Sequence, residues 1–433
     1  MNEQLKNLSK TFCIMPWIHL HSWPDGRAML CCIANNDENQ GIVGDFSKNT
    51  YAEIMNSDTV KQIRLDMLAG KKISNCQNCY ESENLKGQSF RQKTNENYAD
   101  LIQELLDNTL PDGSVKEPKM YYMDHRFSNL CNLSCRTCGG TLSSTIAAEK
   151  KDFSNEQIIE LRSKNVLNAK ENVISFSYAR PDFLEVDVYP YLKDVRQIYF
   201  AGGEALMHDE HFRVLKYLID HGYSKKIHLT YSTNLTSLKY KGNDLLELWQ
   251  HFDSIYFLAS IDGYEEKLEY IRKGTNNNNV FSNLKKLLDF KKANPYKHIM
   301  VNICYTHSIY NCYYSAEFFE YLDQEGLLDR LDDVLWNNAF SDRNRPYILP
   351  DFAKKELKEK RRKDLESPSL QKAMKKFSRL SLDYSVIDGW ISTESDYDFS
   401  RFVDEFKYSY NDYEKFKSSL PWLASVIERY KTS

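Results

Sequence analysis

Three cysteines fall within eight residues, in the order Cys131-Asn-Leu-Ser-Cys135-Arg-Thr-Cys138. Three thiols on so short a loop can converge on one metal centre, and thiolate favours zinc or an iron–sulfur cluster. A structural zinc site normally takes four protein ligands, and no further Cys or His follows closely; the next histidine is His208. Three thiolates suit a four-iron cluster with one iron left open. An open iron can bind a substrate or cosubstrate, unlike a cluster closed by four cysteines.

A second group lies upstream: Cys13, Cys31, Cys32, Cys76 and Cys79. Pro24-Asp25-Gly26 is a hairpin-turn signal between apolar stretches, and such a hairpin brings Cys13 near Cys31. A helical pattern over 50–68 follows, then the knuckle Cys76-Gln-Asn-Cys79. Four thiolates are then available to close a site that either zinc or an iron–sulfur cluster would fill. Cys31 and Cys32 both qualify as its second ligand. His19 and His21 alternate along the hairpin and read as packing or surface residues, as does His125 beside the cysteine loop. Cys304 and Cys312 lack ligand-like spacing; Cys304 shares a strand face with Asn302 and Thr306, where it reads as a small buried residue first and a hydrogen-atom donor second.

Something must position these residues. Apolar strands are predicted at 120–127, 197–201, 226–232, 254–260, 298–306 and 333–340. Amphipathic helices alternate with them, as at 211–220 and 280–290. Strand–helix alternation means a parallel sheet, and six units fit an incomplete, six-stranded β/α barrel. In such barrels, as in open α/β sheets, the chemistry sits at the carboxyl ends of the strands. Gly202-Gly203-Glu204, Ser232-Thr233-Asn234 and Ser260-Ile261-Asp262-Gly263 all end strands.

Composition narrows the function classes. The 433 residues carry 57 Lys+Arg against 61 Asp+Glu, a net charge of -4, which argues against a dedicated nucleic-acid binder. No run approaches the ~18 apolar residues of a membrane span, and the polar start has no signal-peptide core. A cytoplasmic protein is expected, in which the 10 cysteines stay reduced.

The CxxxCxxC loop at Cys131, Cys135 and Cys138, followed by strand-end Gly202-Gly203-Glu204, resembles the signature of the radical S-adenosylmethionine (SAM) enzymes. The resemblance implies a partial (β/α)6 barrel of the TIM type and two cofactors, a [4Fe–4S] cluster and SAM. It further implies that Gly202, Gly203 and Glu204 meet the SAM amino group and that Ser232, Thr233 and Asn234 meet its ribose and carboxylate end. Ser260 and Asp262 would form the next rim contact, and Arg272 stands where many peptide-modifying members carry an arginine. Two departures stand out: Ala205 replaces a common proline, and Thr137 an aromatic residue near the adenine.

The N-terminal group resembles the twitch module, the half-sized relative of the SPASM domain, here placed before the barrel. By its spacing Cys13, Cys31, Cys76 and Cys79 would hold an auxiliary [4Fe–4S] cluster. The implied organisation is an auxiliary module over 1–90, a linker helix over 91–118, and a barrel over 119–345 with an insertion at about 152–194. A helical extension follows over 346–433. The implied activity is reductive cleavage of SAM to a 5′-deoxyadenosyl radical that takes hydrogen from a substrate C–H bond. The implied partners are a peptide or small-molecule substrate and an electron donor such as flavodoxin or ferredoxin, with no nucleic acid and no membrane. A radical SAM enzyme of a sugar or nucleotide and a zinc-stabilised binding protein are the alternatives.

Overall fold

The computed structural model describes residues 8–34, 41–84, 87–150, 153–339, 341–377, 380, 398–409 and 413–432. In chain order its strands are β1 (His21–Ser22), β2 (Arg27–Met29), β3 (Ile42–Asp45), β4 (Tyr122–His125), β5 (Leu167–Asn168), β6 (Val173–Ile174), β7 (Gln197–Phe200), β8 (His228–Thr233), β9 (Lys239–Tyr240), β10 (Asn243–Asp244), β11 (Ser254–Ser260), β12 (His298–His307) and β13 (Asp333–Asn338). All six strands expected from the sequence are present as β4, β7, β8, β11, β12 and β13. Phe340, at the end of the last expected strand, lies outside the described residues. The fold is mixed α/β, built on parallel strands, with a helical C-terminal part.

The chain forms two compact units, interleaved along the sequence. The first holds Met1–Leu130, Phe153–Thr230 and Leu248–Asp253; the second holds Cys131–Asp152, Tyr231–Glu247 and Ser254–Ser433.

In the first unit the expected hairpin is β1 and β2, antiparallel about Gly26, whose φ of +90 favours glycine. β3 extends it on one side, and β1 runs parallel to β4, which runs parallel to β7. The helical stretch expected over 50–68 is two helices. Thr50 and Glu53 form a capping box for Tyr51–Met55, and Ser57 caps Asp58–Leu68 by accepting from the Val60 amide. A second cap inside an apolar-periodic run restarts the helix. The linker expected over 91–118 likewise contains two helices, Phe90–Asn97 and Ile102–Asp107. Helix Asp209–Asp220 follows β7 and buries Phe212, Val214, Leu215 and Leu218, an apolar stripe at helical spacing.

In the second unit β11, β12 and β13 run parallel, with Ser260 opposite Cys304. Along β11, Ile255, Phe257 and Ala259 are buried while Tyr256, Leu258 and Ser260 are half-buried. Helix Asn277–Ala293 lies between β11 and β12 in the chain. The C-terminal helices are Asp351–Asp364, Pro368–Lys376, Phe399–Ser409, Tyr413–Ser419 and Pro421–Thr432. Residues 378–379, 381–397, 410–412 and 433 of the helical extension expected over 346–433 lie outside the described residues. No helix among the described residues is long and apolar enough to cross a membrane.

The β1–β4 pairing places His21 opposite Asp124. Asp124 is wholly buried, with its carboxylate 3.1 Å from His21 Nδ1 and 3.0 Å from Arg126 Nε. Burial opposes its charge, but Arg126 and His21 outweigh burial and hold the carboxyl well below the usual range. The Arg126 guanidinium also covers the Tyr199 ring at 4.9 Å. His19 stacks on Tyr122 at 4.6 Å, and His125 stands edge-on to Phe46 and Phe183, each at 5.3 Å. Burial lowers these two histidines to about 4 and about 3, so both are neutral packing residues near pH 7. Asp124→Ala strands the buried Arg126 charge and should cost about 3–5 kcal/mol in equilibrium urea unfolding. Because the native carboxyl is depressed, the deficit against wild type should shrink as pH falls through the carboxylate range. A deficit under ~1 kcal/mol, the scale of an exposed pair, would contradict this role.

Candidate functional site

The cysteine loop lies in the second unit and is braced along its length. Ser143 and Thr145 hydroxyls donate to the carbonyls of Leu133 and Cys131, while the Cys131 amide donates to Ser144 Oγ at 3.2 Å. A turn from the Cys138 amide to the Cys135 carbonyl (3.1 Å) brings the last two thiols close. The Ser134 and Arg136 amides donate to the carbonyls of Lys273 and Ile271, both at 2.9 Å. Arg136 then folds over Tyr270, its guanidinium 3.8 Å from the ring centroid and its Nε donating to the Tyr270 carbonyl. All three thiols are half-buried. Burial, and the neighbouring Cys138 and Cys131, push Cys135 up to about 12, against the pull of Arg272.

Of the strand-end residues in this unit, Asn234 meets the loop directly and Asp262 reaches it through Arg272. Asn234 Nδ2 lies 3.9 Å from Cys131 Sγ and donates to Asn132 Oδ1 at 2.9 Å. Thr233 Oγ1 accepts from the Leu235 amide, which supports a turn with Leu235 at φ +57. Asp262 pairs with Arg272 at 2.8 Å, and Arg272 Nη1 lies 3.7 Å from Cys135 Sγ. Ser260 is half-buried opposite Cys304. Cys304 Sγ accepts from Asn337 Nδ2 at 2.9 Å, and burial raises its thiol. Cys312 is buried apart from these contacts, its thiol turned to the Ile309 carbonyl at 3.6 Å.

Gly202, Gly203 and Glu204 belong to the first unit. Gly203, at φ +54, sits so close to the chain that a Cβ would strike the Leu130 carbonyl, with Ser128 O 2.9 Å away. At Gly202, φ +83, a Cβ would lie 2.7 Å from Arg126 Cδ. Both positions therefore require glycine. The Glu204 amide donates to the Leu130 carbonyl, and its buried carboxylate caps the turn Ala205–Met207 through the Leu206 amide. That cap provides local order where a proline is absent.

The upstream thiols are gathered in the same unit. Asn95 clamps the chain around Cys13, donating to the Phe12 carbonyl (2.9 Å) and accepting from the Ile14 amide (2.8 Å). Arg91 donates to the Phe12 carbonyl and forms a two-point pair with Glu83 at 3.1 and 2.6 Å. Burial pushes Cys13 up strongly, as do Cys76 and Cys79, while Arg91 pulls it down. Cys31 is raised by burial, then by Cys32, Cys13 and Cys76. For Cys32 the main causes differ: burial, Asp124 and, less, Cys79 raise it to about 12, and Arg126 opposes them. Cys31 thus lies near Cys13 and Cys76, whereas Cys32 lies near the Asp124 cluster and Cys79.

Among the described residues no three His, Cys, Asp or Glu side chains converge as ligands of a single ion would. The thiols nevertheless feel one another's charge in both groups. Replacing their protons by a cationic centre would relieve that repulsion, and sulfur donors beside Arg91 and Arg272 fit an iron–sulfur cluster. The sequence reading missed Asp124, Arg126, Arg91, Arg136 and Asn337. Short sequence spacing marks only the Asp124–Arg126 neighbourhood; the others depend on contacts distant in the chain.

Residues 13–80 match SPASM, an iron–sulfur cluster-binding domain. No curated protein matches the chain in sequence. Among solved structures it is similar to native anSMEcpe with bound AdoMet (17% identity, 51% of each chain, TM-score 0.32). It is similar also to the same protein with AdoMet and the Kp18Cys peptide (17% identity, 51% of each chain, TM-score 0.31). A third is Streptococcus suis SuiB bound to S-adenosylmethionine (14% identity, 83% of this chain and 68% of that one, TM-score 0.30). The chain spans about half the length of the first two.

The separate surroundings of Cys31 and Cys32 generate a direct comparison. After anaerobic reconstitution, Cys31→Ala should lose about four irons per chain relative to wild type, whereas Cys32→Ala should keep them. Loss confined to Cys32→Ala, or equal loss in both, would reverse the assignment.

Proposed function

We propose that this chain is a radical SAM enzyme that modifies a peptide or protein substrate. The observation that carries the reading is the braced three-thiol loop Cys131, Cys135 and Cys138, in a chain whose residues 13–80 match an iron–sulfur domain. Cys131, Cys135 and Cys138 would hold a [4Fe–4S] cluster with one open iron. Cys13, Cys31, Cys76 and Cys79 would hold a closed auxiliary one. In this reading 1–90 is the auxiliary module, 91–118 the linker, 119–345 a partial barrel with its insertion, and 346–433 a helical extension.

When bound, the open cluster and SAM supply one-electron cleavage to methionine and a 5′-deoxyadenosyl radical, which abstracts a substrate hydrogen. The chain's own residues orient that chemistry. By the family resemblance, Gly202, Gly203 and Glu204 would meet the amino group of SAM, the Glu204 carboxylate offering it an acceptor. Ser232, Thr233 and Asn234 address the ribose and carboxylate end, Asn234 also reaching Cys131 Sγ. Ser260 and Asp262 form the next contact. The Cys304 thiol, on the half-buried face of β12, would hand a hydrogen atom to a product radical. The electron comes from a flavodoxin- or ferredoxin-type donor, in the reducing cytoplasm where free thiols persist. The peptide class follows from the resemblance of the N-terminal module to those of radical SAM maturases.

Anaerobic reconstitution should load about eight irons and eight sulfides per chain. Dithionite with SAM should then release 5′-deoxyadenosine, detected by chromatography. Alanine at Cys131, Cys135 and Cys138 together should abolish the release, while Cys76→Ala should keep cleavage and lose substrate turnover. A colourless protein with tightly held zinc and no cleavage would sink the proposal.

A further inference from the structure

Arg272, which the resemblance puts among the cofactor-binding residues, is also held against the cysteine loop. It follows helix Glu265–Ile271, its amide donating to the Leu268 carbonyl at 2.8 Å. The residues on either side of it accept backbone hydrogen bonds from the residues on either side of Cys135: Ile271 from Arg136 and Lys273 from Ser134. Two backbone bonds therefore bracket Arg272 and Cys135 and fix them against each other, although 137 residues separate them.

The side chains are fixed as firmly. Asp262 is wholly buried, and its Oδ1 accepts from the Thr306 amide at 2.7 Å. Its backbone carbonyl accepts from Asn311 Nδ2 at 3.0 Å. Oδ2 of this anchored carboxylate faces Arg272 Nε at 2.8 Å. The guanidinium is planar and rigid, so holding Nε directs the remaining nitrogens. Nη1 then lies 3.7 Å from Cys135 Sγ, within reach of an N–H···S bond.

We propose that Asp262 aims the Arg272 guanidinium at Cys135 so that this bond and its positive charge set the reduction potential of a cluster held by the Cys131 loop. The inference rests on the radical SAM reading above. Reduction adds an electron, and hydrogen bonds to the ligating sulfurs favour the reduced state, as does a nearby cation. Arg272 is then a positioning and tuning residue that acts through Cys135. Without it the cluster should be harder to reduce.

The test is potentiometric titration of the reconstituted full chain, followed by electron paramagnetic resonance, for wild type, Arg272→Met and Arg272→Lys. At a fixed potential on the reductive limb, Arg272→Met should show about tenfold less reduced over oxidised SAM-binding cluster than wild type, equivalent to ~59 mV for one electron. Arg272→Lys, which keeps the charge but loses the fork, should fall between them. The auxiliary cluster signal serves as internal control and should not move. If Arg272→Met fails to load iron, Arg272→Lys decides. Unchanged potentials in the loaded variants, or equal shifts in both clusters, overturn the inference. If instead the wild-type chain shows no cluster signal that SAM perturbs, the radical SAM reading itself has failed.

Discussion

The first unit turns on one buried carboxylate. Asp124 joins β1, through His21, to β4, on which it stands, and orders Arg126. Arg126 in turn lies against Gly202, so a side chain at that glycine would displace the arginine. Cys32 shares the same field, one residue from Cys31. The upstream hairpin and β4 are thereby joined by one polar cluster, and the Gly202 turn lies against its arginine. A buried pair of this kind contributes little net stability compared with apolar packing, because desolvation offsets attraction. Its effect is geometric: with the carboxylate in place, one strand register satisfies the charges and a shifted one leaves them bare.

The second unit repeats the device with different residues. Asp262 is buried, anchored by a backbone amide, and directs Arg272 toward Cys135. In the upstream thiol group Glu83 plays the same part, holding Arg91 beside Cys13. Burial disfavours a thiolate strongly, and neighbouring thiols disfavour it further. A fixed arginine at each group works against both effects. Each carboxylate–arginine pair thus holds a cation beside a thiol group.

Elements and strand-end residues were legible in the sequence because their signals are local. An apolar run marked β11 and the turn at Gly26 marked the hairpin, while the glycines at 202 and 203, expected to meet SAM, lie against the Leu130 carbonyl and Arg126. The Thr50 and Ser57 caps were also there to be read, and they explain why the helical stretch is broken. Three-cysteine spacing located the loop, but not what steadies it. Asp124 and His21 are 103 residues apart and meet only through the parallel pairing of β1 and β4. Arg272 could be singled out by position, while its contact with Cys135 depends on backbone bonds between segments distant in the chain. The choice between Cys31 and Cys32 was open for the same reason: adjacent residues in sequence point into different surroundings.

The central claim is that Cys131, Cys135 and Cys138 hold a four-iron cluster whose fourth iron is free to take SAM. The most direct measurement is electron–nuclear double resonance on the reduced, reconstituted protein with SAM carrying 15N in its amino group. The account predicts a 15N hyperfine coupling that disappears when SAM is omitted and when Cys135 is replaced by alanine. A reduced cluster with no coupling to the labelled nitrogen, or a coupling that survives loss of Cys135, would contradict it.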